Sequence, residues 1–213
     1  MNYESARKRM VHEQLLPRGI TDQRVLDAMA STPRHLFVQD ALRSQAYGDF
    51  SMPIGLGQTI SQPYIVALMT QALELTGDET VLEIGTGCGY QTAVLAKLAD
   101  RVFSVERLKE LHIRARQTLD QLQVFNAVCT TDDGTLGWPQ YGPYDAIIVT
   151  AAGPDIPQPL LDQLADPGRM VIPMGDQHSQ QLVVIKKVDG RLTHEVLEKV
   201  RFVSLIGQHG WQD

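Results

Sequence analysis

The stretch VLEIGTGCGY, residues 81–90, decides the fold of this 213-residue chain. A short apolar run leads directly into Gly85, Gly87 and Gly89, and a helical pattern follows. Glycines at such a turn let the backbone bend sharply and approach a ligand without interference from a Cβ atom. The N-terminus of the helix behind them offers free N–H groups to a polar or anionic group. Strand, glycine turn and helix in this order predict a ligand site at the carboxyl ends of sheet strands.

Strand and helix patterns alternate on the C-terminal side of this stretch. Strands are predicted at 80–84, 101–105, 127–130, 145–150 and 169–173, and helices at 91–98, 108–122 and 157–164. Such alternation predicts an α/β fold, with a mainly parallel sheet and helices on both faces. Asp189-Gly190 separates two alternating apolar stretches, 181–188 and 192–205, which predicts a C-terminal antiparallel hairpin.

The chain before this stretch is mostly helical in pattern. Apolar residues at helical spacing predict helices over 3–16 and 63–75. Thr21 is placed as the N-cap of a further helix, which ends at Pro33. Residues 46–62, AYGDFSMPIGLGQTISQ, fit neither the helical nor the strand period. An aperiodic segment of this length is typical of a functional loop.

Composition limits the class of protein. Hydrophobic residues make up 43% of the chain, and the formal net charge is −6 with a pI near 5.5. A nucleic-acid binder is not expected from these values, because such domains usually carry a basic patch. Two cysteines cannot form a disulfide framework, and neither a signal-peptide pattern nor an apolar run long enough to span a bilayer is found. We therefore expect a cytoplasmic protein with no membrane partner. A monomer is our expectation for its oligomeric state, although the sequence does not fix that state.

The predicted organisation is one domain over residues 1–213. Residues 1–76 would form an N-terminal helical cap with a substrate loop, and residues 77–213 a cofactor-binding α/β core. No internal repeat or linker interrupts this arrangement.

Acidic residues around the glycine turn indicate the kind of ligand. The spacing G-x-G-x-G differs from the G-x-G-x-x-G that cradles a dinucleotide pyrophosphate. Glu83 stands just ahead of the turn, where it would repel a pyrophosphate but tolerate a cation. Glu106 ends the second strand, where an acid can accept hydrogen bonds from ribose hydroxyls. Asp133-Gly134 follows the third strand at the height of an adenine ring. These features predict a site for an adenosine with a cationic, amino-acid-like tail, which describes S-adenosyl-L-methionine.

Several segments resemble one enzyme family. The segments are PRHLFV at 33–38, AYGD at 46–49, MPIG at 52–55, GQTISQP at 57–63, VLEIGTGCGYQTAVLA at 81–96, YDAIIVTAA at 144–152 and RFVSL at 201–205. They resemble the protein-L-isoaspartate O-methyltransferases over nearly the whole chain. The resemblance implies a Rossmann-like class I S-adenosylmethionine-dependent methyltransferase fold. It also implies methyl esterification of the α-carboxylate of L-isoaspartyl residues in damaged proteins, which initiates repair through a succinimide and releases S-adenosyl-L-homocysteine.

The resemblance also assigns roles to residues. Ser61 matches the active-site serine, with Thr59 and Ile60 in the loop that holds the substrate, and Gly57 is expected to allow close approach of the peptide. The implied cofactor contacts are Glu83, Gly85, Thr86, Gly87, Cys88, Gly89, Glu106, Asp133 and Gly134. Cys88 and Asp132 depart from the family's usual serine and glycine. No metal is expected, because the six histidines show no metal-ligand spacing.

The implied reaction asks little of the protein. An α-carboxyl group has a pKa of about 3.3–3.7 and is already ionised at neutral pH, so no general base is required. Ser61 would position the carboxylate, although as a helix cap it would need no other role. The alternatives are a methyltransferase of the same fold with another acceptor, a non-catalytic cofactor-binding adaptor that recognises damaged protein, and a nicotinamide dehydrogenase. The G-x-G-x-G spacing with Glu83 disfavours the dehydrogenase.

Overall fold

The computed structural model describes residues 2–176 and 178–212. Nine β-strands and six α-helices are found within these ranges. The strands are β1 Met52–Gly55, β2 Gln58–Ile60, β3 Thr80–Ile84, β4 Arg101–Glu106, β5 Ala127–Thr131, β6 Tyr144–Val149, β7 Leu164–Gly175, β8 Gln180–Val188 and β9 Arg191–Val200. The helices are α1 Tyr3–Arg9, α2 Gln23–Ser31, α3 Pro63–Ala72, α4 Tyr90–Leu95, α5 Lys109–Gln121 and α6 Gln158–Asp162.

Seven strands form one sheet in the order β5-β4-β3-β6-β7-β8-β9. The first five are parallel, whereas β8 and β9 are antiparallel to their neighbours, which confirms the predicted fold class and C-terminal hairpin. The chain direction across the sheet reverses between β3 and β6. A ligand crevice is expected outside the carboxyl ends of strands at such a switch point.

Side chains of alternating strand residues build two cores, one on each face of the sheet. Val81 packs with residues of α1 to α5 on one face, while its neighbour Leu82 packs on the other. That second face is covered by Leu160 of α6 and by aromatic residues around Phe103 and Tyr144. Strands buried on both faces read as nearly continuous apolar runs, which is why these strands were predictable.

The start of α2 differs from the prediction. Thr21 is not its N-cap; Asp22 is, and its side chain accepts hydrogen bonds from the backbone N–H groups of Arg24 and Val25 at 2.8 and 3.4 Å. The backbone N–H of Thr21 instead donates to the Gln71 side chain at 2.7 Å. Both Thr and Asp favour the N-cap position, so composition alone does not separate two adjacent candidates. Within the predicted helix 3–16, the part after α1 is wound as a π-helix over Met10–Leu15.

Residues 46–62, which fit neither the helical nor the strand period, contain a short element of regular structure. In this segment, β1 and β2 form an antiparallel hairpin in which Met52 pairs with Ile60. The turn uses positive φ angles at Leu56 and Gly57, 54° and 70°. Strands of four and three residues are too short to show a reliable alternation of polar and apolar side chains.

The C-terminal segment after β9 returns across the carboxyl edge of the sheet. Its Val203 and Leu205 bracket Ala152, exchanging backbone hydrogen bonds of 2.8 Å with it. This path brings residues 203–206 beside the glycine turn. No helix in the described part of the chain is long and apolar enough to cross a membrane.

Candidate functional site

A cleft that is open to solvent lies at the carboxyl ends of β3 and β4. Its walls come from the glycine turn, the end of β4, the β1–β2 hairpin and the returning C-terminal segment. Nine of the predicted site residues line it: Thr59, Ile60, Ser61, Gly85, Thr86, Gly87, Cys88, Glu106 and Gly134. Gly57, Glu83, Gly89 and Asp133 do not line it.

The glycine turn is fixed by close backbone approach. Gly85 has φ 93°, and its N–H donates to the Val105 carbonyl at 2.8 Å. A Cβ atom at Gly85 would collide with the hydroxyl of Thr150, which donates to the Gly85 carbonyl at 2.7 Å. Only glycine fits here, because both the backbone angle and the space exclude a side chain.

Glu106 ties the glycine turn to β4. Its side chain is 6% exposed, and its two carboxylate oxygens accept the N–H groups of Gly87 and Leu108 at 2.7 and 2.9 Å. Each carboxylate oxygen can accept a further hydrogen bond. Glu106 can therefore bind hydroxyl donors in the cleft while it holds the turn in place.

Glu83 lies beneath the turn and is fully buried. Its carboxyl accepts hydrogen bonds from the hydroxyls of Thr92 and Ser104 at 2.5 and 2.6 Å. Loss of hydration raises the pKa of Glu83 to about 8, against the opposing effect of these two hydrogen bonds. The carboxyl is thus mainly neutral at pH 7. A chain of hydrogen bonds connects this carboxyl to the cleft wall, because the Ser104 hydroxyl also lies 2.5 Å from the hydroxyl of Thr86.

Asp133 faces the C-terminal segment. One carboxylate oxygen accepts the N–H and the hydroxyl of Thr135 at 2.9 and 2.7 Å, and the other accepts the N–H of Gln208 at 2.7 Å. Partial burial acts to raise the pKa of Asp133, but these hydrogen bonds outweigh it and lower the pKa. Asp133 therefore fixes the wall beside Gly134, which does line the cleft.

The two remaining glycines, Gly89 and Gly57, allow turns of the main chain and do not contact the cleft. Gly89 has φ 89° and precedes α4, where an added Cβ would lie 3.3 Å from the Cβ of Ala115. Gly57 sits at the tip of the β1–β2 hairpin. Both positions use conformations that glycine adopts readily.

Ser61 stands at the end of the hairpin, and its hydroxyl makes no hydrogen bond with any described residue. The alternative interpretation of Ser61 as a helix cap is wrong. The N-cap position of α3 is Gln62, and no side chain caps this helix.

A second groove meets the cleft at Ser61. Its lining shares Thr59, Ser61, Thr150 and Val203 with the cleft and extends to Lys199 and Arg201. Of these residues, only Thr59 and Ser61 were predicted as site residues. Thr150 and Val203 fall within segments that resemble the family, but nothing in their local pattern indicates a ligand.

The site offers the hydrogen-bonding groups and apolar side chains that an adenosine-containing sulfonium needs. Glu106 can accept from ribose hydroxyls, the turn presents backbone N–H groups, and apolar side chains such as Val105 and Leu205 can flank a base. Among the described residues, no group of three or more His, Cys, Asp or Glu is arranged to hold a metal. Sheet order, turn and acid together define a class I S-adenosylmethionine-dependent methyltransferase.

Comparisons with known proteins identify the family. The family model "Protein-L-isoaspartate(D-aspartate) O-methyltransferase (PCMT)" matches residues 5–210. A Pelobacter propionicus relative named protein-L-isoaspartate O-methyltransferase 1 is 58% identical, over 99% of this chain and all of its own. The chain belongs to the protein-L-isoaspartate(D-aspartate) O-methyltransferase family, which confirms the resemblance.

Solved structures agree. A structure named protein-L-isoaspartate O-methyltransferase has a TM-score of 0.87 and 28% identity, covering 96% of this chain and 67% of its own. A Plasmodium falciparum structure, described as such an enzyme in complex with S-adenosyl-L-homocysteine, has a TM-score of 0.81 and 27% identity. That match covers 94% of this chain and 98% of the other.

Proposed function

We propose that this chain methylates the free α-carboxylate of L-isoaspartyl residues in damaged proteins and peptides, with S-adenosyl-L-methionine as methyl donor. The neighbouring backbone amide nitrogen then attacks the ester and expels methanol to form a succinimide, whose hydrolysis restores part of the normal aspartate. The observation that carries the proposal is the position of Ser61, at the junction of the cofactor cleft and the neighbouring groove, in a chain of this family.

Ser61 is suited to orient the acceptor carboxylate. Three hydroxyls stand at the junction, those of Thr59, Ser61 and Thr150. The Thr150 hydroxyl already donates to backbone carbonyls, whereas neither Thr59 nor Ser61 makes a side-chain hydrogen bond with a described residue. Ser61 is therefore free to donate to a carboxylate oxygen. Since the acceptor is ionised at neutral pH, orientation is the main contribution required of the protein.

The cofactor side has a separate task. Glu106 would accept from the ribose hydroxyls, and the turn from Gly85 to Gly89, with Thr86 and Cys88, would hold the amino-acid tail. Gly134 would border the adenine, with Asp133 fixing that wall and Glu83 supporting the turn from below. S-adenosyl-L-methionine supplies an electrophilic methyl group when bound.

The groove beyond Ser61 would hold the peptide on either side of the isoaspartyl residue. Lys199 and Arg201 line it, so local positive charge faces an anionic substrate although the whole chain carries −6. Thr59, Ile60 and Gly57 belong to the hairpin that borders the groove, and we propose that they contact the peptide backbone.

We further propose that the enzyme works as a cytoplasmic monomer without nucleic-acid or membrane partners. One chain supplies all residues proposed for the site, and its acidic balance disfavours nucleic acid. Residues 1–76 would act as cap and substrate loop, and residues 77–213 as the cofactor core, within one domain. Light scattering coupled to gel filtration tests the monomer.

The deciding experiment compares two peptides of identical sequence that carry either L-isoaspartate or L-aspartate at one position. With labelled S-adenosyl-L-methionine, we expect the isoaspartyl peptide to be methylated, with only background label on the aspartyl peptide. Equal labelling of both peptides would mean a different acceptor. Binding of S-adenosyl-L-homocysteine without any product would support the adaptor, and binding of NAD in its place would support the dehydrogenase.

A further inference from the structure

Arg34 is a fully buried cation near the site, at the start of a 3₁₀ helix over Arg34–Phe37. No carboxylate in the described part of the chain forms an ion pair with it. Burying a guanidinium without a carboxylate partner is unfavourable, so an arginine at such a position calls for another explanation.

The side chain of Arg34 joins the two ends of the segment that carries the β1–β2 hairpin. Its Nε donates to the Ala46 carbonyl at 2.8 Å, and one terminal nitrogen donates to the Ser61 carbonyl at 2.7 Å. The two carbonyls are fifteen positions apart in sequence and bracket the hairpin. Because a guanidinium is planar and its donors are fixed relative to one another, these two bonds set the spacing of the segment's ends.

Further contacts make this anchor rigid. The guanidinium lies over the Tyr90 ring, 4.8 Å from its centroid, and Tyr90 belongs to the cleft wall. The first end of the segment is held again by Gln14, whose side chain donates to the Tyr47 carbonyl at 2.9 Å. Arg34 therefore fixes the position of the Ser61 main chain relative to the cofactor core.

We infer that Arg34 is a positioning residue for methyl transfer, which acts by fixing the main chain of Ser61 against the cofactor cleft. Arg34 does not touch the reacting groups; it sets the place from which the Ser61 hydroxyl meets the acceptor carboxylate. The inference rests on the proposed function of Ser61. It assigns a role to a residue whose side chain donates to two backbone carbonyls.

The test is a double-mutant cycle between Arg34→Lys and Ser61→Ala. Lysine keeps the charge but has one nitrogen, which cannot occupy both donor positions of the guanidinium. We expect Arg34→Lys to lower kcat/KM for the isoaspartyl peptide roughly tenfold or more, the same loss that we expect for Ser61→Ala. If Arg34 acts through Ser61, the double variant should be within about twofold of Ser61→Ala alone.

Binding of S-adenosyl-L-homocysteine separates this role from a merely structural one. We expect its Kd in Arg34→Lys to stay within about threefold of the wild-type value, since the cofactor side keeps its own contacts. Rates are divided by the concentration of S-adenosyl-L-homocysteine binding sites found in that titration. A fraction of unfolded protein therefore does not appear as a loss of kcat/KM. The matched control is Arg24→Lys, because Arg24 also bridges two carbonyls, those of Leu75 and Leu98, at 2.7 and 3.1 Å, but away from the cleft.

Each outcome is decisive. The positioning role would be overturned if the kcat/KM of the double variant fell by the product of the two single losses. It would also be overturned if Arg24→Lys lost as much kcat/KM as Arg34→Lys, or if Arg34→Lys no longer bound S-adenosyl-L-homocysteine. Wild-type kinetics in Arg34→Lys would do the same. Failure of the wild-type enzyme to methylate the isoaspartyl peptide would instead refute the proposed function.

Discussion

The cleft has two walls that are built in different ways. We call the wall of the glycine turn and Glu106 the cofactor wall, and the wall around Ser61 the acceptor wall, after the ligands proposed for them. On the cofactor wall, Glu106 accepts two backbone N–H groups and Gly85 bonds to the adjacent strand, so the polar groups satisfy one another. On the acceptor wall, the Ser61 hydroxyl has no partner among the described residues, while its carbonyl is held by Arg34. Hydrogen bonds within the protein hold the first wall in shape, whereas the second wall presents a hydroxyl that no described residue engages.

This difference matches the two tasks of the site. A cofactor that binds in one orientation is served by a rigid wall. A carboxylate needs a donor that is free until the substrate arrives, because a hydroxyl has a single proton to donate. We therefore expect changes on one wall to leave the other wall's ligand largely unaffected.

The largest effect should follow from Glu106→Ala. The change removes a carboxylate that accepts from Gly87 and Leu108 and is proposed to accept from the ribose. Hydrogen bonds to charged groups contribute about 1.5–3 kcal/mol each, so we expect the Kd for S-adenosyl-L-homocysteine to rise roughly 100-fold. Calorimetric titration measures this, with the exposed Glu110→Ala as control. An unchanged Kd would remove Glu106 from the cofactor site.

A smaller effect, confined to the acceptor wall, should follow from Ser61→Ala. We expect kcat/KM for the isoaspartyl peptide to fall tenfold or more, roughly 1.4 kcal/mol, while the Kd for S-adenosyl-L-homocysteine stays the same. Steady-state kinetics and the same titration give both values, with Ser31→Ala on α2 as control. Normal kinetics would show that Ser61 does not orient the acceptor, and a weakened cofactor would show that the two walls are coupled.

The third prediction concerns the stability of the cofactor wall and not the binding of a ligand, and it rests on Glu83. The folded protein keeps the proton of Glu83 up to about pH 8, whereas the unfolded chain releases it near its ordinary value of 4.5. This stabilisation is full below pH 4.5 and is lost as the pH rises through 8, at up to about 1.4 kcal/mol per pH unit.

Denaturant unfolding of the wild type and Glu83→Gln between pH 5 and 9 measures this dependence. We expect the free energy of unfolding to fall less steeply with pH in Glu83→Gln, because the amide does not titrate. Parallel curves for the two proteins would mean that Glu83 is already ionised in the folded state.

The same contrast explains what could be predicted from the sequence. The cofactor wall depends on residues that are close in sequence or on adjacent buried strands, so the glycine turn and Glu106 were placed from pattern alone. The acceptor wall depends on contacts between distant segments. Ser61 was assigned only through resemblance, and Arg34 was not found at all, because a side chain that bonds to backbone carbonyls leaves no partner pattern in the sequence. The hairpin was missed for a related reason, since its turn and two short strands are rich in glycine and lack periodicity.

The tether at the base of the β1–β2 hairpin also divides it into a fixed part and a variable part. Arg34 holds the ends, whereas Leu56 and Gly57 form a tip in which Leu56 is 48% exposed. Insertions in exposed loops cost little, since closure entropy grows slowly with length. The tip can therefore change in length or sequence while the Ser61 backbone stays in place. With the hairpin contacting the peptide as proposed, changes at the tip would alter which damaged surfaces are accepted without rebuilding the chemistry.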